Sequence, residues 1–220
     1  MIGDKQMKIL KPEFPEPLQK LVLTEDYLDE ARLKERDVEH KQIGNTSFQE
    51  VDLSRQCFRN TVFENCKFID CDFRKTEFID TRFSLCDFSN SNLENVYFNR
   101  CEMVSSKGVG MNCLRAFFKN FFAADCNFGY TNFTSAKLQN NSFLRCDFSN
   151  TEFGECRFKD LVFDASVFLR AVFFKTPLKK IDMTTCYIAG ITVTPEDLSG
   201  MIVTAAQAAE LAKLMGLVVM

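Results

Sequence analysis

The chain repeats one hydrophobic–polar pattern every five residues. From residue 61 it reads TVFEN CKFID CDFRK TEFID TRFSL CDFSN SNLEN VYFNR, with a large apolar residue at the centre of each five. A period of five fits neither the 3.6 of an amphipathic helix nor the 2 of a half-buried strand, so it marks an internal repeat. With the centre as position i, every centre has a residue number ending in 3 or 8. Of the 36 such positions from Leu18 to Val193, 33 hold Leu, Ile, Val, Met or Phe, and 19 of the 24 phenylalanines fall there. The exceptions are Gly108, Cys113 and Ala123, after which Phe128 resumes in phase. Position i−2 takes small residues, including eight of the ten cysteines, while i−1, i+1 and i+2 are mostly polar. Two inward and three outward positions per five predict a solenoid with a filled interior.

The small i−2 residue and the Leu or Phe at i resemble the pentapeptide-repeat family, whose motif is roughly A(D/N)LxN. The resemblance spans residues 18–193. It implies an all-β solenoid, a right-handed quadrilateral β-helix in which four pentapeptides close a coil of 20 residues. Thirty-six pentapeptides then give nine coils, a rod on the order of 43 Å long at ~4.8 Å per coil. The two open ends of such a rod need caps. Residues 1–17, with Pro12, Pro15 and Pro17, are expected to form an irregular N-terminal cap. Residues 194–220 read as a turn, a helix and a final LVVM strand. Thr204 is the helix N-cap, Gln207 sits at its capping-box position and Gly216 is the stop. This segment either only covers the last coil or also joins a second chain through Leu211, Leu214, Met215, Leu217 and Val218.

Composition narrows the chemistry. Net charge is −3, there is no long apolar run to span a membrane, and the first residues lack a signal-peptide core. The expected setting is therefore cytoplasmic. Ten cysteines raise disulfides or zinc, but Cys66 and Cys71 are five apart, and the lone His40 completes no cluster. In a 20-residue coil Cys66, Cys86, Cys126, Cys146 and Cys186 stack in one column, where they are expected to remain free thiols in a reducing compartment. No phosphate loop or nucleophilic triad is present. The chain is expected to be no enzyme, with no cofactor, no metal and no small-molecule substrate. The acidic balance disfavours direct nucleic-acid contact.

With its TPEDLSG turn, final helix and GLVV tail, the chain further resembles the Qnr-like quinolone-resistance proteins of Gram-positive bacteria. That resemblance implies a homodimeric DNA mimic that binds DNA gyrase and topoisomerase IV and protects them from fluoroquinolones. The alternative is a scaffold of the same fold with an unrelated protein partner. A duplex carries one negative charge per ~1.7 Å, so mimicry by the whole surface is excluded and a single acidic stripe is the candidate. In the coil frame Glu64, Glu102, Asp125 and Asp164 share one face with Arg82 and Arg145, while an adjacent face is basic. The other candidate contact surface is the irregular stretch from Met103. There Gly108 and Ala123 underfill the core, Met111 and Phe121 overfill the small slot, and Phe117 and Phe122 point outward. Its bland reading is an inverted large/small packing with a local bulge. The functional reading is a distorted waist that meets a partner.

Overall fold

In the computed structural model, which describes residues 9–15 and 17–219, the chain is a right-handed quadrilateral β-helix of about nine turns with a helix near each end. The corner explains the period. Every fifth residue from Glu35 to Lys180 has a positive φ, between 46° and 70°. Position i+2 is thus a left-handed bend after an extended segment. In that segment i−2 and i point to the same side. The corner slot holds many Asn and Asp, which tolerate this conformation, and no β-branched residue.

Four corners return the chain to its starting face, one rung up. Six strands of eight residues carry two faces around one corner: Cys57–Glu64, Glu77–Ser84, Tyr97–Val104, Phe117–Ala124, Lys137–Leu144 and Arg157–Asp164. They pair in parallel at an offset of 20, as in Phe58↔Phe78↔Phe98↔Phe118↔Leu138↔Phe158. We name the faces by a central residue: the Phe58 and Phe63 faces from these strands, then the Phe68 and Phe73 faces. The last two are mostly turn-shaped, apart from the short paired strands Ser47–Gln49 with Lys67–Ile69 and Val172–Phe173 with Thr192–Val193. In the turns the i carbonyl accepts from the N–H three residues on (Phe73 from Thr76, 3.0 Å). Their i−1 Asp or Asn accepts from the i+1 N–H, as at Asp52 (2.8 Å) and Asn132 (2.9 Å). The strand-forming faces carry no Asp or Asn at i−1 from residue 57 to 162.

Inside, rings stack along each column and meet edge-on between columns. Phe133 and Phe153 lie 5.2 Å apart at 3°, while Phe78 and Phe83 lie 5.1 Å apart at 81°. Many of the small i−2 side chains also donate a hydrogen bond to the coil below. Cys101 and Cys156 donate to the carbonyls of Phe78 (3.2 Å) and Phe133 (3.0 Å), and Thr76 and Ser91 do the same to Leu53 and Phe68. All ten cysteines are free.

The ends depart from the repeat. Helix α1 (Glu25–Leu33), N-capped by Thr24, replaces the pentapeptides expected around Leu28 and Leu33. Leu28 and Ala31 are buried under the first coil, Leu33 is exposed, and the buried Gln56 amide donates to the Leu28 carbonyl at 3.1 Å. The helix lengthens this turn by two residues, so Leu21 pairs with Ile43 at an offset of 22. The described part of the expected N-terminal cap lies elsewhere, along the corner between the Phe58 and Phe63 faces. Asn60 donates to the Glu13 carbonyl (2.7 Å), and Arg82 lies over the Phe14 ring at 5.2 Å; residues 1–8 fall outside the described residues. At the other end α2 (Ala205–Ala212) has the capping box of Thr204 and Gln207. Gln207 also donates from Nε2 to the Met183 and Cys186 carbonyls, both at 2.8 Å, which ties the helix to the last coil. Leu217–Val219 form no strand, contrary to the expected LVVM strand.

The stretch around Gly108 is inverted in size but not bulged. Met111 fills the room above Gly108, where an added Cβ would stand 2.3 Å from Met111 Cε. Phe121 stands in for the missing ring at Ala123, 5.3 Å from Phe98 and 5.2 Å from Phe118. The strand Phe117–Ala124 pairs in register on both sides, so there is no distorted waist.

Candidate protein-binding face

The Phe63 face brings together five of the eight partner-contact candidates, Glu64, Glu102, Phe122, Asp125 and Asp164. Its i−1 column runs Val62, Arg82, Glu102, Phe122, Ser142, Val162. Its i+1 column runs Glu64, Ser84, Val104, Ala124, Leu144, Asp164. Phe122 therefore sits on the same face as Glu64, Glu102, Asp125 and Asp164, beside the apolar run Val104–Ala124–Leu144. Val162 (42% exposed) extends this surface, and Leu85 (60% exposed) stands at its corner. Val104, Leu144, Val162 and Leu85 were missed from the sequence, although each is an apolar residue in an outward slot.

The acids are not equivalent. Arg82 Nε donates to Glu102 Oε2 at 3.0 Å, and Glu102 is buried. Arg145 grips Asp125 with two bonds of 2.6 and 2.8 Å, and that hydrogen bonding holds the Asp125 carboxyl below the usual carboxylate range. Asp164 accepts from Thr185 Oγ1 at 2.9 Å. Glu64 is exposed and in no ion pair among the described residues. The stripe is thus partly neutralised by its own arginines, with free carboxylates toward its ends and apolar surface at its centre.

Other candidates separate from this face. Gly108 and Met111 are buried and offer no surface to a partner. Phe117 lies on the Phe58 face, half-buried against Tyr97 with ring centroids 5.4 Å apart. Leu211 packs partly against the end of the core, whereas Leu214, Leu217, Val218 and Val219 are exposed. The Met215 side chain lies outside the described residues. Among the described residues no cluster of three His, Cys, Asp or Glu is placed to hold a metal, and no helix is long and apolar enough to cross a membrane.

Models of pentapeptide repeats match residues 58–102 and 126–160. No curated protein sequence matches the chain. Among solved structures, a trypsin-treated variant of QnrB1, a plasmid-mediated fluoroquinolone resistance protein, superposes with a TM-score of 0.52 at 19% identity. That match covers 84% of this chain and 94% of the other. Full-length QnrB1 gives 0.39 at 19% identity over 90% and 95%. HetL, a pentapeptide-repeat protein involved in heterocyst differentiation regulation from the cyanobacterium Nostoc sp. Strain PCC 7120, gives 0.32 at 13% identity over 76% and 89%. The likeness to the trypsin-treated QnrB1 is one of fold.

Proposed function

We propose that this pentapeptide-repeat protein binds DNA gyrase and topoisomerase IV in the cytoplasm, through its Phe63 face, and shields them from fluoroquinolones. The observation that carries the reading is the convergence of acidic residues with the outward Phe122 on that face. A duplex-binding groove is basic, and free carboxylates at Glu64 and Asp164 complement it. Phe122 with Val104 and Leu144 supplies the apolar centre in which protein–protein binding energy concentrates. The shared fold with a fluoroquinolone resistance protein supports the same reading. The exposed Leu214, Leu217 and Val218 beside α2 support association into a homodimer through the C-terminal segment.

The test is gyrase supercoiling, and topoisomerase IV decatenation, in fluoroquinolone while the protein is titrated. Dose-dependent recovery is expected, with Phe122→Arg shifting the half-effective dose by tenfold or more, about the 1.4 kcal/mol of a modest hot spot. No recovery with enzymes from several sources would leave a scaffold with an unrelated partner. Recovery that ignores Phe122→Arg would move the contact off this face.

A further inference from the structure

Four successive rungs of the Phe58 face, from Lys119 to Lys180, carry six cations, Lys119, Lys137, Arg157, Lys159, Lys179 and Lys180, against the single acid Asp160, with Glu196 and Asp197 on the rung beyond. Of the ten other arginines seven, Arg32, Arg59, Arg74, Arg82, Arg100, Arg115 and Arg145, each hold a carboxylate, while Arg36, Arg55 and Arg170 are in no ion pair among the described residues. None of the six is in an ion pair among the described residues. Five of them are exposed and Lys119 is half-buried. Lys137 and Arg157 are direct register partners, and Lys119, Gln139 and Lys159 share one column. Like charges directly opposite each other on a ladder repel, so this surface gains by accepting a polyanion.

Charge density identifies which polyanion. Lys119 to Lys179 spans three coil spacings, about 14 Å at ~4.8 Å each. An extended acidic peptide would turn one side chain toward the face per ~6.8 Å, about two over that length. A duplex carries one charge per ~1.7 Å, about eight over the same length, with roughly half on the near side. We infer that this basic surface binds the phosphate backbone of duplex DNA, independently of sequence and on a different face from the one proposed for topoisomerases. The expectation of no nucleic-acid contact rested on net charge, which hides the segregation of charge between faces.

The experiment is fluorescence anisotropy of a labelled random-sequence duplex with the full chain at rising salt. With about four phosphates neutralised, affinity should fall on the order of 10²-fold between about 50 and 200 mM salt, a log–log slope near −3.6. The variant Lys137→Glu/Arg157→Glu/Lys159→Glu should lose binding. Lys67→Glu/Lys75→Glu, equal in kind but on the other two faces, should keep it, and circular dichroism checks that both fold. Absence of duplex binding at the lower salt, or binding indifferent to the triple reversal, overturns the inference. Capture of polyglutamate by this face without capture of the duplex also overturns it, in favour of an acidic protein segment.

Discussion

Gly108 and Met111 exchange the sizes that the repeat assigns to their slots, so substitutions that restore the rule should fail singly and succeed together. Met111 is 3% exposed. Met111→Ala removes three buried side-chain atoms with little room for collapse inside a stacked coil, and should cost about 2–5 kcal/mol. Gly108→Leu meets Met111 Cε at 2.3 Å and Sδ at 2.8 Å from its first carbon. Overpacking of this kind costs roughly 1–3 kcal/mol. Gly108 has no positive φ, so the backbone raises no separate objection to leucine.

In Gly108→Leu/Met111→Ala the leucine enters the space that the methionine leaves. Four carbons enter where three atoms leave, a net gain of one, and the double variant should lie within about 1.5 kcal/mol of the parent. The measurement is equilibrium urea unfolding followed by circular dichroism and by an independent probe whose transitions coincide. A coupling of about 2 kcal/mol or more in favour of the double variant is expected. If the two losses simply add, the inverted packing is not a compensated pair, and Gly108 must be explained by something other than Met111.

Three further outcomes follow from the same packing. Phe83→Ala, which removes a ring stacked 5.3 Å from Phe63 and edge-on to Phe78 and Phe88, should cost about 3–5 kcal/mol in the same assay; a loss under 1 kcal/mol would contradict the stacked-column core. Burial pushes the thiols of Cys101 and Cys156 up to about 12, whereas an unfolded thiol titrates near ~8.5. The folded state therefore holds its protons longer. Stability is intact below about pH 8.5 and falls as pH rises toward 12, by at most about 1.4 kcal/mol per pH unit for each thiol. Cys101→Thr/Cys156→Thr, using a residue the slot accepts, should flatten that slope, and an unchanged slope would refute the assignment. A chain ending at Met201 should sediment as a monomer where the full chain sediments as a dimer; a persistent dimer would place the interface outside the C-terminal segment.

The inward half of the fold could be read residue by residue. The period of five separates i and i−2 from the other three slots, and that is enough to place Phe63, Cys66 and Phe68 in one core without knowing where any coil lies. What it misreads are segments in which apolar spacing agrees with the repeat by coincidence. Leu23, Leu28 and Leu33 keep the rhythm, yet Thr24 followed by Glu25 and Asp26 starts a capped helix, because an N-cap with acids in the first turn favours helix locally. The difference between faces was also written in the chain. Asp52, Asp72, Asn92, Asn112 and Asn132 at i−1 mark a turn face, because their side chains bond the N–H two residues on, while Tyr97, Phe117 and Lys137 in the same slot mark a strand.

The outward half needs a second coordinate. A residue's remainder in five says whether it points out, but only its remainder in 20 says what it points out beside. Phe117 and Phe122 show the consequence. They are five apart, occupy the same i−1 slot and look like one exposed aromatic pair in the sequence. The corner at Asn120, with φ of 50°, sends them to different faces. Phe122 joins Glu102, Val104 and Leu144, whereas Phe117 packs tilted against Tyr97 in the column that continues into Lys137 and Arg157. A substitution at either one therefore tests a different partner chemistry, and two variants five residues apart can separate a protein-binding face from a phosphate-binding one on the same rod.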